Sequence, residues 1–273
     1  MAFSKIKIST GPEIAYEDTG GAGTPVIFSH GLFMNRTMFA PQIDEFSKSW
    51  RCITWDERAH GDTVYARGHF TYWDSAKDLL ALMDALRIDR AIHVGMSQGG
   101  LLGMRAAILA PKRFVGIVQL ATQAGKLAED GAAAFKIIVD EWIDKGATAG
   151  KLQFLTDLIL GPGVDPEYWR KYWATLKPAQ IDDAVSAIYS IDELYARLPE
   201  VVVPLCTIHG KADVSTPYER AERVAREVPD PRGVTLVEAG PHAVNLSHPA
   251  IVNTALRDFF AELAVGGGAR GRA

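Results

Sequence analysis

Cysteine is scarce: Cys52 and Cys206 are the only two in 273 residues, each inside an apolar strand-like segment and neither with a CxxC partner or a metal-ligand spacing. That favours two buried thiols over a disulfide framework. An excess of one charge is also missing. The 29 Lys and Arg against 33 Asp and Glu leave a net charge of −4, with no basic run to track a phosphate backbone. A nucleic-acid partner is therefore not expected. No window approaches about eighteen uninterrupted apolar residues, so no membrane span or membrane partner is expected. The opening MAFSKIKIST alternates Lys and Ile instead of building the apolar stretch of a signal peptide, which makes a cytoplasmic location the expectation. No segment repeats.

What is present is a globular composition, 48% hydrophobic and 23% charged, long enough to bury a sizeable core. KIKIS (5–9) and IAYED (14–18) suggest a hairpin, followed by short apolar strands at 25–30, 51–56, 91–95 and 114–120. Between them lie helical periods at 38–46, at 75–86, where Ser75 is the expected N-cap, and at 100–110. Strands alternating with helices, several of them continuously apolar, imply a largely parallel sheet covered on both faces. The alternation breaks at 124–198, where amphipathic helical runs carry Trp142, Tyr168, Trp169, Tyr172, Trp173, Tyr189 and Tyr195. It resumes with a strand at 201–210, a helix at 216–228, a strand at 234–238 and a helix at 248–264. The expected division is a core of 1–123 and 199–264, a helical insertion of 124–198, and a disordered tail of 265–273.

HVGMSQGG (93–100) puts one serine among glycines where a buried strand hands over to a helix. A tight turn with a serine cap accounts for this. So does a strained turn that exposes a nucleophilic hydroxyl, and Gly95-Met96-Ser97-Gln98-Gly99 fits G-x-S-x-G in the required strand–turn–helix setting. A serine hydroxyl needs a base, and the base needs an orienting acid. Of seven histidines, His93 lies inside a strand, His30 and His209 end strands within tight local motifs, His60 and His69 sit in an early loop, and His248 precedes Pro249. His242 remains, on a loop after the last strand. For the acid, the segment after residue 120 has no carboxylate until Glu129, whereas Asp213 directly follows an apolar strand, 29 residues before His242. Ser215 or Thr216 is the better candidate to cap the next helix.

The order Ser97, Asp213, His242 resembles that of the α/β-hydrolase fold family. FSHG (28–31) looks like the family's His-Gly oxyanion loop, WDERAHG (55–61) like its Asp-x-Arg-Gly-x-Gly loop, and IHGKAD and GPH like its acid and base loops. The resemblance implies a mostly parallel eight-stranded sheet flanked by helices, with 124–198 as a helical cap. It also implies an oxyanion hole from the backbone N–H groups of Leu32 and Gln98. Ala59 departs from the pattern, standing where the family usually has Gly. No metal and no organic cofactor are implied.

The expected activity is a serine hydrolase cleaving a carboxylic ester or lactone of a small, apolar or cyclic substrate, in the esterase and enol-lactonase branch. Phe33, Trp142, Trp169 and Trp173 are the expected substrate contacts. A carbon–carbon bond hydrolase of aromatic degradation and a cofactor-free perhydrolase are the enzymatic alternatives. Leu32 and Gln98 stand where perhydrolases typically have Trp and Met. A ligand-binding receptor on the same fold is the non-enzymatic alternative. The chain could act alone or as a homo-oligomer.

Overall fold

The computed structural model describes residues 3–127 and 129–269. Eight short apolar runs become the strands β1 (Ser4–Lys7), β2 (Glu13–Asp18), β3 (Val26–Ser29), β4 (Cys52–Trp55), β5 (Ala91–Met96), β6 (Phe114–Leu120), β7 (Leu205–Gly210) and β8 (Pro231–Val237). They form one sheet in the order β1-β2-β4-β3-β5-β6-β7-β8. β1 and β2 pair antiparallel, as does β2 with β4, and every later pairing is parallel. β3, β4, β5 and β7 are buried along their whole length. Helices on both faces explain their unbroken apolar sequences. The sheet is eight-stranded and mostly parallel, as expected.

The core helices are α1 (Ala40–Phe46), α2 (Tyr72–Ala85) and α3 (Gln98–Leu109), then α8 (Tyr218–Glu227), α9 (Val244–Ser247) and α10 (Pro249–Ala269), the last four-residue turn of α9 leading straight into α10. α2 starts three residues before the expected Ser75. Its cap is Thr71, which forms a reciprocal capping box with Asp74, and Ser75 is buried inside the helix. The box satisfies two free backbone donors where a lone serine would satisfy one. α10 continues through residues 265–269 of the segment expected to be disordered, and residues 270–273 lie outside the described residues. α3 lies close against β5, because a Cβ on Gly103 would run into the His93 ring.

Between β6 and β7 the chain makes α4 (Glu129–Lys145), α5 (Ala149–Leu155), α6 (Glu167–Thr175) and α7 (Pro178–Tyr189), with no strand among the described residues there. α5 runs into a π-helical turn, Thr156–Leu160, closed by Gly161 at φ +65°. The far end of the insertion is anchored to α3. The buried Arg105 guanidinium pairs with Asp192 at 2.5 Å and donates to the Leu101 carbonyl at 2.9 Å.

Candidate active site

β5 ends in a turn that ordinary residues avoid. Ser97 has φ +50° and ψ −113°, and α3 begins at the next residue. Neighbouring backbone leaves no room for side chains: a Cβ on Gly95 would strike the Gly99 carbonyl, and one on Gly99 the Ser29 carbonyl. The strained serine is held by its own backbone. Its N–H donates to the Leu120 carbonyl at 2.8 Å, and its carbonyl accepts from Gly100 N, Leu101 N and Thr122 Oγ1 at 2.9, 3.1 and 2.7 Å. Phe33 (φ +60°) and Ala121 (φ +46°), just past β3 and β6, share the left-handed region with Ser97. Strain gathered at one edge of a sheet is characteristic of functional sites.

Asp213 follows β7 and His242 follows β8. The His242 Nδ1–H donates to Asp213 Oδ2 at 2.7 Å. The same oxygen accepts from a second imidazole, His209 Nε2 at 3.0 Å, which also reaches the Thr216 carbonyl at 2.9 Å. With two acceptors facing it, His209 Nε2 carries the proton. Asp213 Oδ1 takes the backbone N–H groups of Ser215 and Thr216 at 2.8 and 2.9 Å. The carboxylate, and not Ser215 or Thr216, organises this turn, and α8 starts behind Pro217 with no side-chain cap. Burial alone would raise the Asp213 pKa. The charge and hydrogen bonds of His242 and His209 outweigh it and hold the group well below the usual carboxylate range. His209 was legible only as a strand end, since nothing in its spacing shows that it folds back on Asp213.

Two backbone donors are left over at this edge. In the loop after β3, Gly31 N–H reaches Met38 Sδ, Phe33 N–H goes to His60 Nε2 at 3.2 Å, and Met34 N–H to the Gly31 carbonyl at 3.0 Å. Leu32 N–H has no acceptor among the described residues. Gln98 N–H, first in α3, likewise has no intrahelical partner. Two neutral imidazoles hold the loop in this shape. His30 Nδ1–H donates to the Gly31 carbonyl while its Nε2 accepts from Glu57 N, and the His60 ring lies 4.8 Å from it. Burial and the nearby Arg36 charge push His30 down to about 4, and burial with His30 beside it pushes His60 down to about 3. Beneath the turn, the Glu57 carboxyl is fully buried, and the Gln98 amide approaches it without closing a hydrogen bond of normal geometry. Burial pushes Glu57 well above the usual range.

Ser97 and His242 line one cavity of about 450 Å³, together with Leu32 and Phe33. No hydrogen bond joins the Ser97 hydroxyl to His242. The remaining wall is mostly aliphatic, supplied by Ile138, Leu155, Leu158, Ile159 and Ile188, with Phe135 and Phe154. Of the four expected substrate contacts only Phe33 is on this wall. Trp142, Trp169 and Trp173 are buried elsewhere. Trp142 packs its edge on Phe33 with ring centres 5.0 Å apart, and Trp173 Nε1–H donates to the Phe33 carbonyl at 2.9 Å. Their area goes into seating the insertion on the loop after β3. α6 adds more polar ties: the Tyr172 hydroxyl donates to the Met34 carbonyl at 3.3 Å and accepts from Gly61 N at 3.0 Å, while the Tyr168 hydroxyl meets Asn35 Nδ2 and Thr37 Oγ1. The π-helical turn is joined to the loop of His242, because Ala243 N–H donates to the Ile159 carbonyl at 2.7 Å. Such turns recur at functional sites.

Residues 24–249 match the family described as the alpha/beta hydrolase fold, and the chain belongs to it. A 3-oxoadipate enol-lactonase of Acinetobacter baylyi is 27% identical over 249 residues, covering 88% of this chain and 90% of its own. A non-heme chloroperoxidase of Streptomyces lividans is 26% identical over 275 residues, covering 93% and 98%. Among solved structures, a thermophilic esterase from Thermogutta terrifontis superposes with a TM-score of 0.86 at 23% identity, covering 96% of this chain and 99% of that one. At that identity the likeness is one of fold. Among the described residues no helix is long and apolar enough to cross a membrane.

Proposed function

We propose that the protein is a serine hydrolase that cleaves a carboxylic ester or lactone through an acyl-enzyme. The observation that carries this reading is the 2.7 Å bond from His242 Nδ1 to the buried Asp213, with His242 and the strained Ser97 on the wall of one apolar cavity. With Nδ1 committed to Asp213, Nε2 is the ring nitrogen left to take the Ser97 proton as the oxygen attacks the carbonyl. The Leu32 and Gln98 N–H groups receive the charge that develops on the carbonyl oxygen, each such donor contributing about 3–4 kcal/mol in a dry site. His242 returns its proton to the leaving alkoxide. Water, activated by the same imidazole, then releases the acid from Ser97. Four donors on Asp213 keep it an anion throughout, so it steadies the imidazolium without taking its proton. The helical insertion acts as a cap whose aliphatic wall suits an apolar or cyclic group.

The test is covalent. A serine-directed phosphonate should label Ser97, and a panel of p-nitrophenyl esters and lactones should be turned over by the wild type and not by Ser97→Ala. Labelling at another residue, or full turnover by the alanine variant, overturns the assignment.

A further inference from the structure

Among the described side chains, which do not include those of residues 128–130, the one Lys, Arg, Asp or Glu on the cavity wall is Arg220, in the first turn of α8. Its neighbours on that wall are the apolar Val214, Pro217 and Leu127 and the amide Gln123. The guanidinium is oriented by neutral partners only. Nη1 donates to Gln123 Oε1 and to the Lys126 carbonyl, the latter at 3.1 Å. Gln123 is itself buried, so the fork is aimed by a fixed side chain. Among the described side chains, which do not include those of residues 128–130, Nε and Nη2 donate no hydrogen bond and Arg220 forms no ion pair. The neighbouring Arg223, by contrast, is tied to Glu227 at 2.6 Å and lies over the Tyr195 ring. Neutral acceptors fix a guanidinium's direction and leave its charge without a bonded counter-ion. Beside low-dielectric walls that charge acts strongly on an opposite one. The Nε/Nη2 edge matches the two oxygens of a carboxylate.

Arg220 also faces outward. It is shared with a more open recess of about 690 Å³ whose lining includes Lys126, Arg223 and Arg226 besides Glu193, Glu219 and Glu227. The cation therefore stands between the apolar chamber that holds Ser97 and a polar approach from solvent. A wholly apolar substrate would leave it without a partner in the complex, and desolvating an unpaired charge is costly.

We propose that Arg220 selects substrates bearing a carboxylate remote from the scissile carbonyl, with an apolar spacer filling the cavity between Arg220 and Ser97. This rests on the hydrolase reading above and narrows its substrate class to half-esters or lactones of apolar dicarboxylic acids. The ends are told apart chemically: the ester carbonyl goes to Leu32 and Gln98 N–H, the free carboxylate to Arg220.

The test compares mono-p-nitrophenyl esters of four- to eight-carbon dicarboxylic acids with p-nitrophenyl alkanoates of matched length. At one chain length at least, wild-type kcat/KM should favour the half-ester about tenfold or more. In Arg220→Gln that ratio should fall at least tenfold, chiefly through KM, and Arg220→Lys should restore part of it. A wild type with no preference at any length, or a ratio that survives in Arg220→Gln, overturns the proposal. A second readout needs no catalysis: calorimetric binding of octanoate against 1-octanol. Octanoate should bind the wild type more tightly and lose that advantage in Arg220→Gln; equal binding in the two proteins counts against Arg220. Failure of the phosphonate to label Ser97 would sink the hydrolase reading alone, while the calorimetry would still decide the anion site.

Discussion

The sheet edge and the helical insertion face each other across one cavity, yet they build their halves by different physics. On the sheet side, position is set by backbone. Ser97, Phe33 and Ala121 sit in strained conformations at strand ends, each strand fixed by its ladder, and Asp213, His242, His209 and His30 are tied into short hydrogen bonds. On the insertion side, position is set by packing. α4, α5 and α7 contribute aliphatic carbons to the wall, and the largest aromatic side chains are used to seat α4 and α6 on the loop after β3. The first kind of site tolerates almost no change of residue type. The second tolerates any change that preserves volume and apolarity.

The largest test of this contrast is chemical. Asp213→Asn should leave the fold intact and lower kcat by about ten-thousand-fold, because an amide at that position favours the wrong His242 tautomer. Retention of most activity in a folded Asp213→Asn protein would remove Asp213 from the proposed machinery.

The next effect separates seating from lining within the insertion. Trp142→Ala should cost about 3–5 kcal/mol of stability in denaturant unfolding, as expected for a buried aromatic. Leu158→Ala should cost less stability and change kcat/KM between short and bulky esters by about 1–3 kcal/mol. If Trp142→Ala sorted substrates and Leu158→Ala did not, the division drawn here would be reversed.

The remaining effect is in pH, and it belongs to the sheet side, since residues 124–198 contain no histidine. His30, His60 and His93 are buried, and burial pushes them down to about 4, about 3 and about 3. The unfolded chain takes up protons below about 6.5 while the folded one does not. Stability is therefore full above that pH and is lost as pH falls toward 4, at about 1.4 kcal/mol per pH unit for each ring. Glu57 has the opposite sign. Its raised folded pKa costs stability as pH climbs above about 4.3, so Glu57→Gln should steepen the acid loss by about 1.4 kcal/mol per pH unit. Denaturation midpoints that are flat between pH 7 and 5 would show that these imidazoles are protonated in the fold.

What could be read in the sequence follows the same divide. β6 matches its apolar run residue for residue, and Ser97 directly follows β5 while Asp213 and His242 lie on the loops after β7 and β8, because strand ends announce themselves through apolar runs and breakers. The make-up of the cavity wall is not legible. The tryptophans of 124–198 stand out in composition, but whether an amphipathic helix turns its aromatic side toward a cavity or a neighbouring loop depends on tertiary docking. The same limit hid His209, whose bond to Asp213 needs the β7 turn to fold back. Ala59 shows the reverse case. An alanine stands where the family usually has glycine, and it keeps the left-handed backbone at φ +64°. Removing its buried methyl would give up about 0.8 kcal/mol, close to the gain from relaxing the backbone.

The hydroxyls and indole of α6 bear on how such a protein diversifies. Because Tyr168, Tyr172 and Trp173 are bonded to the chain between Phe33 and Thr37, and Tyr172 also to Gly61, this helix and the loop carrying Leu32 form one hereditary unit. A transplanted insertion from a relative would bring foreign donors to the loop proposed to receive the substrate oxygen, altering turnover along with preference. Exchange confined to α4 and α5 leaves that bonded pair in place. Natural variation and laboratory recombination should therefore succeed first in the segment from 131 to 160 where Trp142 is kept against Phe33, and a change of α6 should come together with a change of residues 33–37.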